Sequence, residues 1–324
     1  MSKYDVLGIG NSIVDVLSFV DEEFLQKHAL NKGVMTIIDE DTATGLYSDI
    51  RTTTEASGGS AANTVAGIAS LGGKPAFLGR VKDDEFGKIF THDLNGIGVD
   101  FNCAPAIDGK ATARCMVFIT PDAERTMATF LGACTEFDEN YVDEEKIKNS
   151  KLIYVEGYLW DEEKAKNAIQ KAMKIAKANN IKTSFTLSDP FCVSRHKQQF
   201  LDLLPEIDIL FANEEEALML FDASNFEEAA TIAQGKCEII VITKGAAGSA
   251  IITRDEIINV AATKIDKLVD TTGAGDLYAG GFLYGYTQEK PLAECGRIGT
   301  AAAANIITQL GARPLKPLKD CIAA

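Results

Sequence analysis

The chain has 324 residues, of which 46% are hydrophobic, 24% charged and 8% aromatic; this is globular composition with length for a large core, and it excludes the disordered, collagenous and fibrous classes. Its 32 basic residues stand against 47 acidic ones, a formal net charge of −15 that repels nucleic-acid phosphates and anionic membrane surfaces. An anion site built from backbone N–H groups at a helix N-terminus stays open, because it needs no cationic side chain.

In chain order, the apolar run YDVLGIG at 4–10 reads as a strand. KLIYVEGY at 151–158, KTSFTLS at 182–188, IDILFAN at 207–213 and CEIIVIT at 237–243 repeat the pattern, with helical stretches between them. This alternation predicts an α/β fold, a mostly parallel central sheet flanked by helices. The stretch from Asp161 to Asn179 carries Ala168, Ile169, Met173, Ile175 and Ala176 on one helical face and ends at Asn179-Asn180. Two segments break the rhythm, 14–57 and 98–132; in the second, ATARCMVFIT and ERTMATFL alternate like strands around Pro121-Asp122. They predict a small antiparallel sheet, a lid inserted in a single domain spanning 1–324, since no linker or internal repeat divides the chain. The seven cysteines (Cys103, Cys115, Cys134, Cys192, Cys237, Cys295, Cys321) are scattered without a C-x-x-C and read as buried thiols of a reducing compartment. With no leader-like segment and no apolar run of transmembrane length, the expectation is a cytoplasmic protein with neither a membrane nor a nucleic-acid partner.

Three glycine clusters fail on mechanism. Gly8-Ile9-Gly10 would need its third dinucleotide-binding glycine at Ile13, the phosphate-loop-like stretch from Gly67 to Lys74 runs into Pro75, and Gly58-Gly59-Ser60 lacks a glycine at 62. A fourth cluster, Asp270-Thr271-Thr272-Gly273-Ala274-Gly275-Asp276, precedes the apolar helix pattern LYAGGFLYGY. It lets backbone N–H groups converge at the positive end of a helix, which suits a transferring phosphoryl group, and sets Asp276 in the first turn within reach of a substrate hydroxyl. A capping role for Asp276 and a plain turn at the glycines explain the same residues, and on this stretch alone the two readings are evenly matched.

Further motifs accompany it. Gly10-Asn11-Ser12-Ile13-Val14-Asp15, Gly58-Gly59-Ser60-Ala61-Ala62-Asn63-Thr64, Asn213-Glu214-Glu215-Glu216 and Thr243-Lys244-Gly245-Ala246-Ala247-Gly248, together with the motif ending on Asp276, make the chain resemble the ribokinase (PfkB) family of sugar and nucleoside kinases end to end. Within that family, FLQKHAL at 24–30, SGGSAANTVAG at 57–67, DILFANEEEA at 208–217 and LAECGRIGTAAAANIITQLGARP at 292–314 resemble the adenosine kinases. Glu156 departs from them: it stands where adenosine kinases have a small residue, while ribokinases carry a Glu nearby. The resemblance implies a ribokinase-like fold and an ATP-dependent kinase that phosphorylates the 5′-hydroxyl of adenosine to AMP in purine salvage. The alternative is a kinase for ribose, fructose or a related ketose, or for inosine or guanosine.

Carried over residue by residue, the resemblance makes Asp276 the general base, ionised at pH 7 with an ordinary carboxylate pKa, and Gly273, Ala274 and Gly275 the anion hole. Asn11, Asp15, Gly58, Gly59, Ser60 and Asn63 would bind the sugar, and Ile37, Met127 and Tyr158 would enclose the purine. Asn213, Thr243, Lys244, Gly245, Gly248 and Asn305 fall to ATP, Asn213 and Glu216 to an indirectly held Mg2+, and Asp270 and Thr272 to a monovalent cation such as K+. For Asn213 and Glu216 a helix capping box explains the same spacing, and both roles are compatible. Arg125, in AERTMATFL, would neutralise phosphate after lid closure. His28, His92 and His196 are far apart without ligand spacing and are assigned no metal. The implied partners are a nucleoside or sugar and ATP, with the chain monomeric or dimeric through its lid.

Overall fold

The computed structural model describes residues 2–122 and 124–322. Its strands, in chain order, are β1 (Tyr4–Ile9), β2 (Ile13–Phe19), β3 (Met35–Ile37), β4 (Thr54–Ser57), β5 (Pro75–Leu78), β6 (Ala113–Ile119), β7 (Arg125–Phe130), β8 (Ser150–Glu156), β9 (Lys182–Thr186), β10 (Ile209–Asn213), β11 (Ile239–Thr243), β12 (Ser249–Ile252) and β13 (Ile257–Val260). The large sheet runs β13-β12-β11-β10-β9-β8-β1-β5 and is parallel from β5 to β11; β12 and β13 close it as an antiparallel hairpin. The predicted strands are all present. The short β5 and the hairpin are additions, too brief to stand out as periodic runs.

Inner parallel strands must be apolar on both faces, and every residue of β1 is buried. Alternate side chains then feed two cores. Leu210, Ala212, Ile240 and Ile242 pack with the helices Glu163–Ala178, Pro190–Leu203, Glu214–Phe221 and Phe226–Ala233 on one face. Ile209, Phe211, Ile239 and Val241 pack with the helices Ser60–Ser70, Glu85–Gly96, Ala274–Thr287 and Leu292–Ile306 on the other. In the helix Glu163–Ala178 the buried stripe is Ala165, Ala168, Ile169, Ala172, Met173 and Ala176. Ile175, expected on that stripe, is only half-buried at its edge.

A second sheet runs β3-β7-β6-β2-β4. The segment 98–112, expected to belong to it, instead lies along the large sheet: Asp100 bridges Ala76 beside β5, and Phe101 packs with Phe77 and Phe90. One face of the small sheet, through Val14, Val16, Met116, Phe118 and Ala128, joins the core that holds Phe211 and Phe282. Among the described residues no helix is long and apolar enough to cross a membrane.

The helices Ser60–Ser70 and Ala274–Thr287 cross at a distance that only glycine allows. A Cβ on Gly67 would lie 2.7 Å from Leu277 Cδ1, and one on Gly280 would lie 2.7 Å from the Thr64 carbonyl oxygen. Backbone cannot yield as a flexible side chain can, so the substitution Gly280→Ala should force the helices apart and cost about 1–3 kcal/mol of stability. Urea unfolding measures this; an unchanged midpoint would show that the crossing accommodates a methyl group.

Candidate active site

The crossing aligns the N-termini of these two helices. Gly59, at φ +92, precedes the helix Ser60–Ser70, and Gly273, at φ +77, precedes Ala274–Thr287; neither helix has a side-chain cap at that position. From one first turn Ser60 donates its hydroxyl to Asp276 Oδ1 at 2.6 Å, and Asn63 Nδ2 donates to Asp276 Oδ2 at 3.0 Å. Asp276 therefore bridges two helix ends rather than capping its own. Burial pushes its carboxyl up to about 6, against the opposing pull of Ser60, Asn63 and Arg313. This corrects the expectation of an ordinary carboxylate pKa: the group titrates within the working range of a general base.

The anion hole is also adjusted. Ala274 N–H donates to the Thr271 carbonyl at 3.1 Å, whereas the N–H groups of Gly273, Gly275 and Asp276 bond to nothing among the described residues. Gly273, Gly275 and Asp276 thus present the open donors at the positive end of the helix Ala274–Thr287.

Strand register explains how the small sheet reaches this place. Asp15 pairs with Cys115, Leu17 with Val117, Val117 with Met127, Ile119 with Arg125, and Met127 with Met35, so with period-2 alternation these side chains share one face with Ile37. That face looks onto the helix N-termini. A Cβ on Gly58 would collide with the Asp15 carboxylate, and Arg125 Nη2 and Nη1 donate at 2.6 Å to Asp270 Oδ2 and Thr272 Oγ1. Desolvation pushes Asp15 up to about 6, with Arg313 and Arg125 opposing and Asp276 reinforcing. The β3 edge of the face is open, with Ile37 56% and Met35 41% exposed, whereas Val117 and Ile119 are buried and Leu17 and Met127 half-buried.

Of the other predicted sugar ligands, Asn11 lies in the turn between β1 and β2, with its backbone N–H committed to Glu156 Oε1 at 2.8 Å. Asn63 is committed on both amide atoms, to Asp276 and to Arg313, leaving one donor and one lone pair for a substrate. Tyr158 lies on the turn after β8, with its hydroxyl donating to the Ser188 carbonyl at 3.4 Å.

Two further residues, Glu156 and Arg313, carry the site in roles that the sequence did not assign. Glu156, wholly buried at the end of β8, accepts from Asn11 N–H and Ala61 N–H, both at 2.8 Å. It thereby fixes the β1–β2 turn and supplies the cap that Gly59 lacks. Burial pushes its carboxyl up to about 7 despite these two bonds. Arg313, near the chain end, donates Nε–H to Asn63 Oδ1 and Nη2–H to the Gly58 carbonyl, each at 3.3 Å, and bonds Ser57 Oγ through Nη1. Glu156 stands out in the chain only as a departure from the adenosine kinases and Arg313 only as part of the stretch 292–314; their contacts give them these roles.

The residues assigned to ATP gather at the carboxyl ends of the large sheet, where ligands collect in open α/β sheets. Asn213 ends β10, Thr243 ends β11, and Lys244, Gly245 and Gly248 follow in the turn to β12. Asn213 and Glu216 form a complete capping box: Glu216 accepts from Asn213 N–H at 2.9 Å and Nδ2 at 2.7 Å, and Asn213 accepts from Glu216 N–H at 2.8 Å. Lys244 lies over the Phe226 ring, 4.0 Å from its centre, and Asn305 is half-buried on the helix Leu292–Ile306.

Among the described residues no three His, Cys, Asp or Glu side chains converge as a metal site, and both Glu216 oxygens already accept from Asn213, an arrangement compatible with the indirect Mg2+ role that the resemblance implies. The Asp270 carboxylate accepts from Thr272 N–H and Oγ–H, Gly311 N–H and Arg125. Desolvation raises its pKa, but the Thr272 and Gly311 bonds and the Arg125 charge hold it below the usual range. A guanidinium thus lies against the two side chains, Asp270 and Thr272, that the resemblance gives to a monovalent cation.

The model of the pfkB family carbohydrate kinases matches residues 34–319. Two solved structures share nearly the whole chain. A probable sugar kinase from Rhizobium etli is 45% identical, covering 99% of this chain and 98% of its own, with a TM-score of 0.92. The adenosine kinase from Sinorhizobium meliloti is 46% identical, covering 98% of each, with a TM-score of 0.91. Adenosine kinase 2 of Arabidopsis thaliana is 26% identical over 98% of this chain and 98% of its own.

Glu156 yields a stability test. Truncation by Glu156→Ala orphans two buried N–H groups at about 1–3 kcal/mol each, so the unfolding midpoint in urea should fall sharply. A variant as stable as the parent would mean that the turn and the helix end need no carboxylate.

Proposed function

The chain belongs to the pfkB family of carbohydrate kinases, phosphotransferases with an alcohol as acceptor, and from that premise we propose that it transfers the γ-phosphoryl group of ATP to the 5′-hydroxyl of adenosine, giving AMP and ADP. The observation that carries the choice of a nucleoside is the apolar face of the small sheet beside Asp15. Ile37, 56% exposed, and Met35, 41% exposed, share it with the half-buried Leu17 and Met127. A flat purine would cover this surface, whereas a free sugar would leave it wet. A sugar kinase remains the second reading, favoured by Glu156 and by the likeness to the probable sugar kinase from Rhizobium etli.

In the mechanism Asp15, with the remaining amide valences of Asn63, holds the ribose hydroxyls, and the sugar approaches the backbone at Gly58 and Gly59. Asp276 exchanges its bond to Ser60 for one to the 5′-hydroxyl and takes the proton as that oxygen attacks the γ-phosphorus. The bond from the γ-phosphorus to the bridging oxygen breaks, and ADP leaves. The open N–H groups of Gly273, Gly275 and Asp276 meet charge on the transferred group. The small sheet, β2, β3, β4, β6 and β7, acts as the lid, and Arg125 passes from Asp270 to the phosphates as the site fills.

Three outcomes check this reading. Incubated with ATP and Mg2+, the protein should turn over adenosine with a kcat/KM at least about 100-fold above ribose or fructose; equal turnover of a free sugar would promote the second reading. Asp276→Asn should lower kcat by about 10²–10⁴ while nucleoside binding persists. In the parent, kcat/KM should fall with decreasing pH through an acid limb near 6, because the base is lost as Asp276 gains its proton. A flat profile down to pH 5 would remove Asp276 from that role.

A further inference from the structure

Arg313 has been given no role in the proposed chemistry, yet its guanidinium touches Ser57, Gly58 and Asn63, on and on either side of the glycine-rich turn that starts the helix Ser60–Ser70. Nε–H donates to Asn63 Oδ1, which settles the orientation of that amide: with its oxygen engaged by a donor, the Nδ2 side must face Asp276. Nη2–H holds the Gly58 carbonyl, and Nη1 bonds Ser57 Oγ, which donates in turn to Asp93 Oδ2 at 3.0 Å. The short segment that bears Arg313 is itself braced against the other helix. Gly311 N–H donates to Asp270 at 2.9 Å, and Ala312 lies under Gly273, where a Cβ would meet its methyl at 2.8 Å. One segment thus contacts the anion loop on one side and the partner of the base on the other.

We propose that Arg313 is a positioning residue for phosphoryl transfer: it orients the Asn63 amide toward Asp276 and supplies the positive charge that keeps Asp276 available as a base beside Asp15. This rests on the assignment of Asp276 as the base. The charged and titratable groups around Asp276 are Asp15 on β2, Glu156 and Tyr154 on β8, Tyr158 on the turn after it, and Arg313; Asp93 faces Arg313, and Arg125 faces Asp15. Arg313 is the cation among the influences acting on Asp276, and it also opposes the upward push on Asp15. Burial lowers the guanidinium itself only to about 10, with Asp15, Asp93 and Asp276 opposing, so it stays charged at neutral pH.

The test compares pH profiles of kcat and KM for adenosine in the parent, Arg313→Met, Arg313→Lys and Asp276→Asn, each first shown to be folded by circular dichroism. Loss of the positive charge in Arg313→Met should move the acid limb of kcat/KM upward by about one pH unit, a loss of roughly fivefold near pH 6 that grows to about tenfold at lower pH. In Arg313→Lys, charge is kept but Nε–H is lost, so the limb should stay in place while kcat falls several-fold at every pH. A folded Arg313→Met enzyme whose acid limb coincides with that of the parent overturns the proposal, as does a loss of equal factor at all pH values. Should Arg313→Met fail to fold, Arg313→Lys decides: lowered kcat with an unmoved limb supports the inference, and unchanged kcat overturns it. Asp276→Asn separates the two levels. If it retains turnover, the base assignment fails and the inference with it; if it loses turnover while the Arg313→Met limb does not move, the Arg313 inference fails alone.

Discussion

Two helices from opposite ends of the chain, Ser60–Ser70 and Ala274–Thr287, pack so closely that a carbonyl of one occupies the space where a side chain of the other would begin. Everything at the site follows from that approach. It sets Ser60 and Asn63 against Asp276 and brings two helix N-termini side by side, that of Ala274–Thr287 with open N–H groups where an anion would be received. A helix pair separated by ordinary side chains would still bury a core, but its first turns would stand too far apart to share one carboxylate.

Concentrating acids in this way has an electrostatic cost, and the fold handles it unevenly. Asp15, Asp276 and Glu156 are all desolvated and all pushed upward, to about 6, 6 and 7. For each the folded state favours the proton, so each opposes stability as pH rises from the ordinary carboxylate range toward neutrality. Glu156 is offset by two backbone donors, while Asp15 and Asp276 depend on Arg313 and, for Asp15, on Arg125 as well. The two arginines reach in from separate segments. Arg125 comes from the small sheet and is tied to Asp270, so the positive charge near Asp15 depends on where that sheet sits.

Alternation along the small sheet divides its duties. Val14, Val16, Met116 and Phe118 point into the core shared with the large sheet; their neighbours Asp15, Leu17, Cys115 and Val117 point at the site. A one-residue slip of register would exchange these sets, burying Asp15 in the core and exposing valines. The same pairing that stabilises the sheet therefore delivers a carboxylate, an arginine and an apolar surface to one place.

The architecture was legible in the chain because inner parallel strands and their covering helices are written in local periodicity: β1, β8, β9, β10 and β11 were each a contiguous apolar run. The position of Asp276 in the first turn after a glycine-rich stretch was legible for the same reason, since helix starts have local signatures. What sequence could not supply was environment. Asn63 and Asp276 are 213 residues apart, and Arg313 and Asn63 are 250; nothing at either position announces the other. Whether Asp276 is an ordinary acid or one raised toward neutrality, whether Asp270 meets an ion or Arg125, and whether Glu156 meets a sugar or two backbone N–H groups were decided by burial and by which distant groups the tertiary fold brings within hydrogen-bond reach. Periodicity and caps act over a few residues and determine elements, whereas desolvation and Coulombic coupling act across space and exist only once those elements have packed.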